Sequence, residues 1–391
     1  MKRIICVLLI LIFLFGNAEA FYEETIENEI LNEEDLIETA VKSGVPGINA
    51  RAAILYDLSY DRILYEKNPK QRRANASTTK MLTAIVAFEE GNLDDLVIVS
   101  RKAATTGGST IKLRTGDKVT LADLIKGLLI HSGNDAAVAI AEHIAGTEEE
   151  FAKLLNEKAE EIGACDTHFV TPHGLDNENH YSTAFDLMLI SKKLLEIPFL
   201  ANIVSQKSVE IKINDNIRIV GTTNEMLSTY NGANGIKTGF TGDAGRCLVT
   251  SVTRDDRKLI CVVLGCDTKK DRTLDSIKLL DYGFKEYTIV DLSDYIRKTI
   301  CIDVAKSEGK VYTLTKEITI KYPLKDSEKD KIRVNYTIEN NLEAPLKKGR
   351  KIAIAEVFVD NNKINEISYL LPMDIERKTW KSYFKTILRA S

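Results

Sequence analysis

Four serines of this chain stand three residues ahead of a lysine: Ser77/Lys80, Ser109/Lys112, Ser307/Lys310 and Ser382/Lys385. The pairing can do chemistry, because an unprotonated lysine can take the proton of a serine hydroxyl and make it a nucleophile. Spacing alone decides nothing, since about one or two such pairs arise by chance in a chain of this size. Context separates the four. Ser109 leads into a predicted strand, where residues three apart face opposite sides. Ser307/Lys310 straddles Gly309 in a predicted hairpin turn, and Ser382/Lys385 lies on a basic terminal segment. Only Ser77 opens a helix that is apolar on nearly every side, in "NASTTKMLTAIVAFEEG". The same run permits two other readings. Asn75-Ala76-Ser77 has the form of a glycosylation acceptor, and Thr78-Thr79 that of a polar helix start.

On such a helix Lys80 falls one turn beyond Ser77 on the same face, with its stem drawn into an apolar interior where a lone ammonium is costly. A lysine of ordinary pKa is neutral in roughly one molecule in 2,500 at pH 7, so a lysine base needs a downward shift of about three units, or ~4 kcal/mol. Burial supplies part of that, and a second cation nearby supplies more. The backbone N–H of Ser77, at a helix start, can face a developing oxyanion. Two further pieces follow in order. Ser132-Gly133-Asn134 sits in a short break between two apolar helices and is the chain's sole Ser-x-Asn; Lys237-Thr238-Gly239 is its sole Lys-Thr-Gly and lies on a predicted strand. Arg114-Thr115-Gly116 is a near copy of the last, but it precedes the Ser-x-Asn and falls in a turn. Each piece alone reads as a capped helix end or an ordinary strand. The ordered triple, each member on the element its task requires, reads as one site.

The elements that must hold these residues are legible. "ARAAILYDL" and "DRILYEK" flank Ser59-Tyr60-Asp61 as a hairpin. Helices are predicted from Lys80 to a stop at Gly91, from Thr120 with a capping-box start, from Asp135 to Ala145, and over residues 147–163. "GIKTGFT", "CLVTSVT" and "KLICVVLG" form an antiparallel set with a return at Asp255-Asp256, and "TLDSIKLLDYGF" closes it as a helix. Residues 288–372 are short β-rich segments and read as a second, all-β domain.

The whole chain bounds the answer. Its 391 residues, 44% apolar and 28% charged, describe a globular protein of two or three domains, and a net charge of −4 gives no basic field for nucleic acid. Residues 1–20 have a basic start, an apolar run from Ile4 to Phe15 and small residues before Ala20, the form of a secretory signal peptide. Residues 21–44 are an acidic extension without a placed role. Cys165, Cys247, Cys261, Cys266 and Cys301 have neither disulfide-framework nor zinc spacing and read as small buried hydrophobes. Residues 373–391 read as an amphipathic helix. Arg377, Lys381, Lys385 and Arg389 form one stripe, and Trp380, Tyr383, Phe384, Ile387 and Leu388 form the opposite face. That pattern fits the interface of an anionic membrane.

Ser-x-x-Lys, Ser-x-Asn and Lys-Thr-Gly in this order resemble the signature of penicillin-binding proteins and serine β-lactamases. The flanks "ASTTKMLTA", "LLIHSGNDAA", "THFVTPHGLDNENHYSTAFD", "GIKTGFTGDAGRCLV" and "VVLGCDTKKDR" resemble the low-molecular-mass D-alanyl-D-alanine carboxypeptidases, over about residues 45–372. The resemblance implies an α+β fold. Helices pack on a mainly antiparallel five-stranded sheet over residues 45–287, and the small β domain follows. It implies Ser77 as the acylated nucleophile, Lys80 as its base and Ser132 as a proton relay. Asn134, Lys237, Thr238, Gly239 and Arg272 then contact substrate, and the backbone N–H groups of Ser77 and Phe240 form the oxyanion hole. His173 and Asp186, in a family-like stretch, are expected to be structural. The implied reaction removes the last D-alanine of a peptidoglycan stem pentapeptide through an acyl-enzyme, without metal or cofactor, and β-lactams acylate the same serine. Three alternatives stand beside it: a β-lactamase, a peptidoglycan endopeptidase and a non-catalytic β-lactam-binding protein. Against the first, Ala152 occupies the acid's place in "AKLLN", where class A β-lactamases carry glutamate. Asn75 stands where the family often has proline, and Tyr60-Asp61 where a glycine turn is expected.

Overall fold

The computed structural model describes residues 44–381, and the chain divides into two compact units between Gly283 and Phe284. The strands of the first unit are β1 (Ala52–Asp57), β2 (Arg62–Lys67), β3 (Leu96–Ile98), β4 (Lys118–Thr120), β5 (Ser208–Ile213), β6 (Asn216–Gly221), β7 (Ala233–Thr241), β8 (Gly245–Arg254) and β9 (Arg257–Cys266). Its longer helices are α1 (Lys80–Glu90), α2 (Leu121–Ile130), α3 (Asn134–Ala145), α4 (Glu148–Ile162), α5 (Ala184–Glu196), α6 (Pro198–Val204) and α7 (Lys269–Glu286).

Five strands form one antiparallel sheet in the order β2-β1-β9-β8-β7. β1 is buried along its whole length, as expected of a central strand covered on both faces. Ile54 and Tyr56 join the core formed with α1, α2, α3 and α5. Leu55 faces the other way, onto α7, where a Cβ on Gly283 would come within 2.7 Å of its Cδ2. β7 is left as an edge strand, with half of its backbone groups unpaired by the sheet. The β1–β2 turn uses Asp61 at φ 51°, so a short polar side chain takes the left-handed position where glycine was expected.

The expected helices form with their caps. The Thr120 and Thr147 hydroxyls accept from the backbone N–H groups of Asp123 and Glu150. Two expectations are corrected and one sheet is added. Ser109–Leu113 is not a strand. The Ile111 and Leu113 N–H groups donate to the buried Asp135 carboxylate at 3.0 Å each, so no ladder claims them. β3, β4, β5 and β6 form a second, four-stranded sheet, which the sequence reading left unassigned. Its signal was the alternation of buried Val209, Ile211 and Ile213 ahead of the Asn214 turn. All five cysteines among the described residues are free, but Cys165 and Cys301 are exposed rather than buried.

The second unit is strand-rich, with sheets β10-β13, β12-β11-β15 and β14-β16-β17. These comprise β10 (Thr288–Asp291), β11 (Thr299–Ala305), β12 (Val311–Thr315), β13 (Lys321–Leu324), β14 (Ile332–Ile338), β15 (Leu342–Glu343), β16 (Lys351–Val359) and β17 (Asn362–Leu370). Alternate residues Ile300, Ile302 and Val304 of β11 enter its core beside Tyr369 and Val357. The expected helix does not start at 373. Ile375 is buried and bridges Leu346, and Arg377 bridges Ser307. Pairing of this segment with the β unit claims it before the helix begins at Trp380, which is 72% exposed. The rest of the expected amphipathic helix, Ser382/Lys385, the signal peptide and nearly all of the acidic extension lie outside the described residues. Among the described residues no helix is long and apolar enough to cross a membrane.

Candidate active site

The chain enters the site through Ala76, at φ 48°, and a 3-10 turn over Ala76–Thr79 that runs directly into α1. Asn75 is fully buried, and its Nδ2 donates to the Thr78 and Thr79 hydroxyls at 3.1 and 3.0 Å. Burial rules out the glycosylation reading, since an acceptor asparagine must reach the surface. Thr79 Oγ1 is also 2.8 Å from His180 Nε2, and burial takes the His180 pKa down to about 3. The turn is therefore fixed by neutral hydrogen bonds.

Lys80 is 0% exposed. Its Nζ lies 2.7 Å from Ser77 Oγ, 2.7 Å from Asn134 Oδ1 and 2.8 Å from the His173 carbonyl oxygen. Burial, then the nearby Lys237 charge, hold its pKa well below the usual lysine range, against a smaller opposing pull from Asp135. A neutral amine has two N–H donors and one lone pair. Asn134 Oδ1 and the His173 oxygen can only accept, and the Asn134 amide is oriented by its Nδ2 donating to the Gly107 oxygen at 2.7 Å. Of the three neighbours, only the Ser77 hydroxyl can donate, so the lone pair faces the serine proton.

The carbonyl of His173 reaches Lys80 through a tight turn. Gly174 has φ 85°, and a Cβ there would sit 2.0 Å from the Ala76 oxygen. The His173 ring is buried, its Nε2 3.4 Å from Glu148 Oε2. Asp186 is structural, as expected: its Oδ2 accepts from the Asp166 N–H and the Thr167 hydroxyl. His173 was expected to be structural too, yet its backbone touches the lysine.

Ser132 stands at φ 63° in the break between α2 and α3, two residues before Asn134. Lys237, Thr238, Gly239 and Phe240 lie on the edge strand β7. Gly239 lets that strand approach the turn: a Cβ on it would be 3.1 Å from Ser77 N, 3.1 Å from the Asn75 oxygen and 3.1 Å from Ala76 Cβ. Phe240 is exposed and carries the Arg246 guanidinium 3.4 Å from its ring centroid. Lys237 is 1% exposed, and its Nζ donates to the Thr238 oxygen at 3.0 Å. Burial, then the Arg272 charge, bring its pKa down to about 7. The Thr238 hydroxyl is 2.6 Å from that of Thr223. Arg272, on α7, is buried and paired with Glu225.

Sequence reasoning missed the Gly107 and His173 carbonyls and Glu225. The first two are backbone groups that no residue type announces. Glu225, near the start of a one-turn helix, carries no local signature. Among the described residues no cluster of potential metal ligands is present.

A serine hydroxyl beside a buried, uncompensated lysine, facing a cationic edge strand, is the apparatus of a serine acyl-transfer enzyme. Residues 39–268 match the D-alanyl-D-alanine carboxypeptidase family, and residues 299–377 match the penicillin-binding protein 5 C-terminal domain. The chain is 32% identical to the D-alanyl-D-alanine carboxypeptidase DacF of Bacillus subtilis over 86% of this chain and 88% of that one. It is 33% identical to DacA of Escherichia coli over 83% of each. Penicillin-binding protein 5 of Haemophilus influenzae superposes with a TM-score of 0.70 at 30% identity, covering 86% of this chain and all of that one (100%). The chain belongs to the D-alanyl-D-alanine carboxypeptidase family.

Proposed function

We propose that Ser77, Lys80 and Ser132 carry out D-alanyl-D-alanine carboxypeptidase chemistry on peptidoglycan stem pentapeptides. Ser77 Oγ attacks the carbonyl of the penultimate D-alanine and passes its proton to Lys80 Nζ. The oxyanion forms between the N–H groups of Ser77 and Phe240, the gap bounded on one side by Gly239. Ser132 relays the proton to the leaving amine, D-alanine departs, and water then cleaves the Ser77 ester. Asn134 has one amide hydrogen left for the substrate backbone, since its other bonds hold Lys80 and Gly107. Lys237, Thr238 and Arg272 receive the terminal carboxylate, which would draw Lys237 back to its charged form. β-Lactams acylate the same serine.

The observation that supports this reading best is Lys80 itself, buried among neutral oxygens with no carboxylate bonded to it. The test is to incubate the protein with diacetyl-Lys-D-Ala-D-Ala and, separately, with penicillin, following D-alanine release and intact mass. D-Alanine release together with a long-lived penicilloyl adduct is expected. Fast penicillin turnover with no D-alanine released would instead make the chain a β-lactamase.

Residues 1–20 are proposed to export the chain, and the basic, aromatic C-terminal segment to hold it on the outer face of the cytoplasmic membrane. Removing residues 380–391 is expected to release the protein from anionic vesicles without loss of activity on soluble peptide. Undiminished vesicle binding would refute the anchor.

A further inference from the structure

Arg272 does not face the site alone. Its Nη2 donates to Glu225 Oε1, which also accepts the Thr273 hydroxyl at 2.5 Å. The arginine side chain is 4% exposed and the glutamate 20%. Glu225 Oε2, Arg272 Nε and the Nδ2 of the adjacent, buried Asn224 have no protein partner. The pair lies against the substrate strand. Arg272 is near enough to Lys237 to depress its pKa, and Thr223, two residues before Glu225, bonds Thr238. Burial pushes the Glu225 carboxyl up, but Arg272 and Thr273 outweigh it and hold it below the usual carboxylate range. An ionised internal carboxylate therefore occupies one edge of the guanidinium that the foregoing reading gives to the substrate.

We propose that Glu225 is a specificity-determining residue that sets how strongly the site favours a free terminal carboxylate, by sharing the charge of Arg272 with the substrate. Two carboxylates on one guanidinium weaken each other, because each bond is strong in proportion to the positive charge left for it. Glu225 touches no reacting atom. The carboxylate it competes with leaves with D-alanine, so its effect falls on acylation and spares hydrolysis of the Ser77 ester. The idea rests on the reading of Arg272 given above, and its test separates the two.

The measurement is kcat/KM of the full protein for diacetyl-Lys-D-Ala-D-Ala and for the same peptide with a terminal carboxamide. Glu225→Gln keeps the acceptor for Arg272 and Thr273 but removes the charge. It is expected to raise kcat/KM for the acid about tenfold, the low end of the scale of one hydrogen bond to a charged group. The amide rate and the hydrolysis rate of the peptidyl ester on Ser77, which has lost its carboxylate with D-alanine, should not move. Glu225→Asp keeps the charge and should hold the acid-to-amide ratio within about twofold of the native value. A merely structural brace predicts the opposite sign, a fall in the acid rate as Arg272 loses its anchor. That fall, no change at all, or an equal rise for acid and amide would overturn the proposal. Arg272→Leu should collapse the acid preference. If the preference survives in Arg272→Leu, the carboxylate is held elsewhere, and the reading of Arg272 fails together with the role of Glu225. If it collapses while Glu225→Gln has no effect, only the inference on Glu225 fails.

Discussion

The spacing Ser-x-x-Lys occurs in both units, and two of its four copies, Ser77/Lys80 and Ser307/Lys310, end in opposite states. In the first unit Lys80 Nζ is buried 2.7 Å from Ser77 Oγ. In the second, the Ser307 hydroxyl faces the carbonyl oxygens of Val304, at 2.7 Å, and Gly309 inside a hairpin turn, and Lys310 is exposed. The letters match; the elements do not. A helix start puts residues one turn apart on a common face and draws the lysine stem inward. A hairpin turn spends the hydroxyl on its own backbone and leaves the lysine to water. Lysines elsewhere in the second unit carry the same lesson. Lys363 bonds Glu356 and Glu366 at 2.7 and 2.6 Å, and those carboxylates hold its pKa above the usual range. Exposed and paired, a lysine stays charged. Buried among neutral oxygens, Lys80 is pushed toward its neutral form.

This contrast can be broken by mutation. The largest effect is expected at the lysines themselves. Lys80→Ala should slow penicillin acylation by about 10³-fold or more, while Lys310→Ala should leave the rate unchanged. Comparable losses in both, read by stopped-flow acylation, would mean that burial is not what distinguishes them. Next comes Lys237→Gln. Removing that nearby charge raises the Lys80 pKa, so the acid limb of the acylation pH profile should move to higher pH and the rate fall about 100-fold. An unmoved limb would detach Lys237 from Lys80. Gly239→Ala should cost roughly tenfold in acylation, because its Cβ must push a few tenths of an ångström into the turn that carries Ser77 N. Native-like rates in that variant would show that the gap is looser than its 3.1 Å contacts imply.

The smallest effect is on stability. Lys237 is driven from its ordinary value of 10.5 to about 7 in the fold. The unfolded chain therefore binds one more proton between those pH values, and native stability rises with pH across that window. Lys237→Gln removes the cost of burying that charge. Its melting temperature should exceed the native one most below pH 7, with the advantage fading as pH approaches 10.5. A gain independent of pH would assign it to packing instead.

Much of this is legible in the sequence. The three motifs, their order and their elements follow from helix caps, strand alternation and the cost of an apolar helix holding a lysine. Other features left no mark on residue type. The strap Ser109–Leu113 looked like a strand because its alternation is real, but Asp135 took its N–H groups. The segment after Pro372 looked helical from its charges, but Ile375 fills the second core first. Two of the acceptors that shape the site, at Gly107 and His173, are carbonyls, which every residue has. Gly239 was legible as part of a motif, yet its reason, a strand lying against Ser77 N, is visible only in three dimensions.

The central claim is that Ser77 is the hydroxyl made nucleophilic by Lys80. Peptide mapping of the penicilloyl adduct, with intact mass on Ser77→Ala, tests it most directly. One adduct on the peptide containing Ser77, absent from Ser77→Ala, is the predicted result. An adduct that persists in Ser77→Ala, or that maps to another serine, would contradict it.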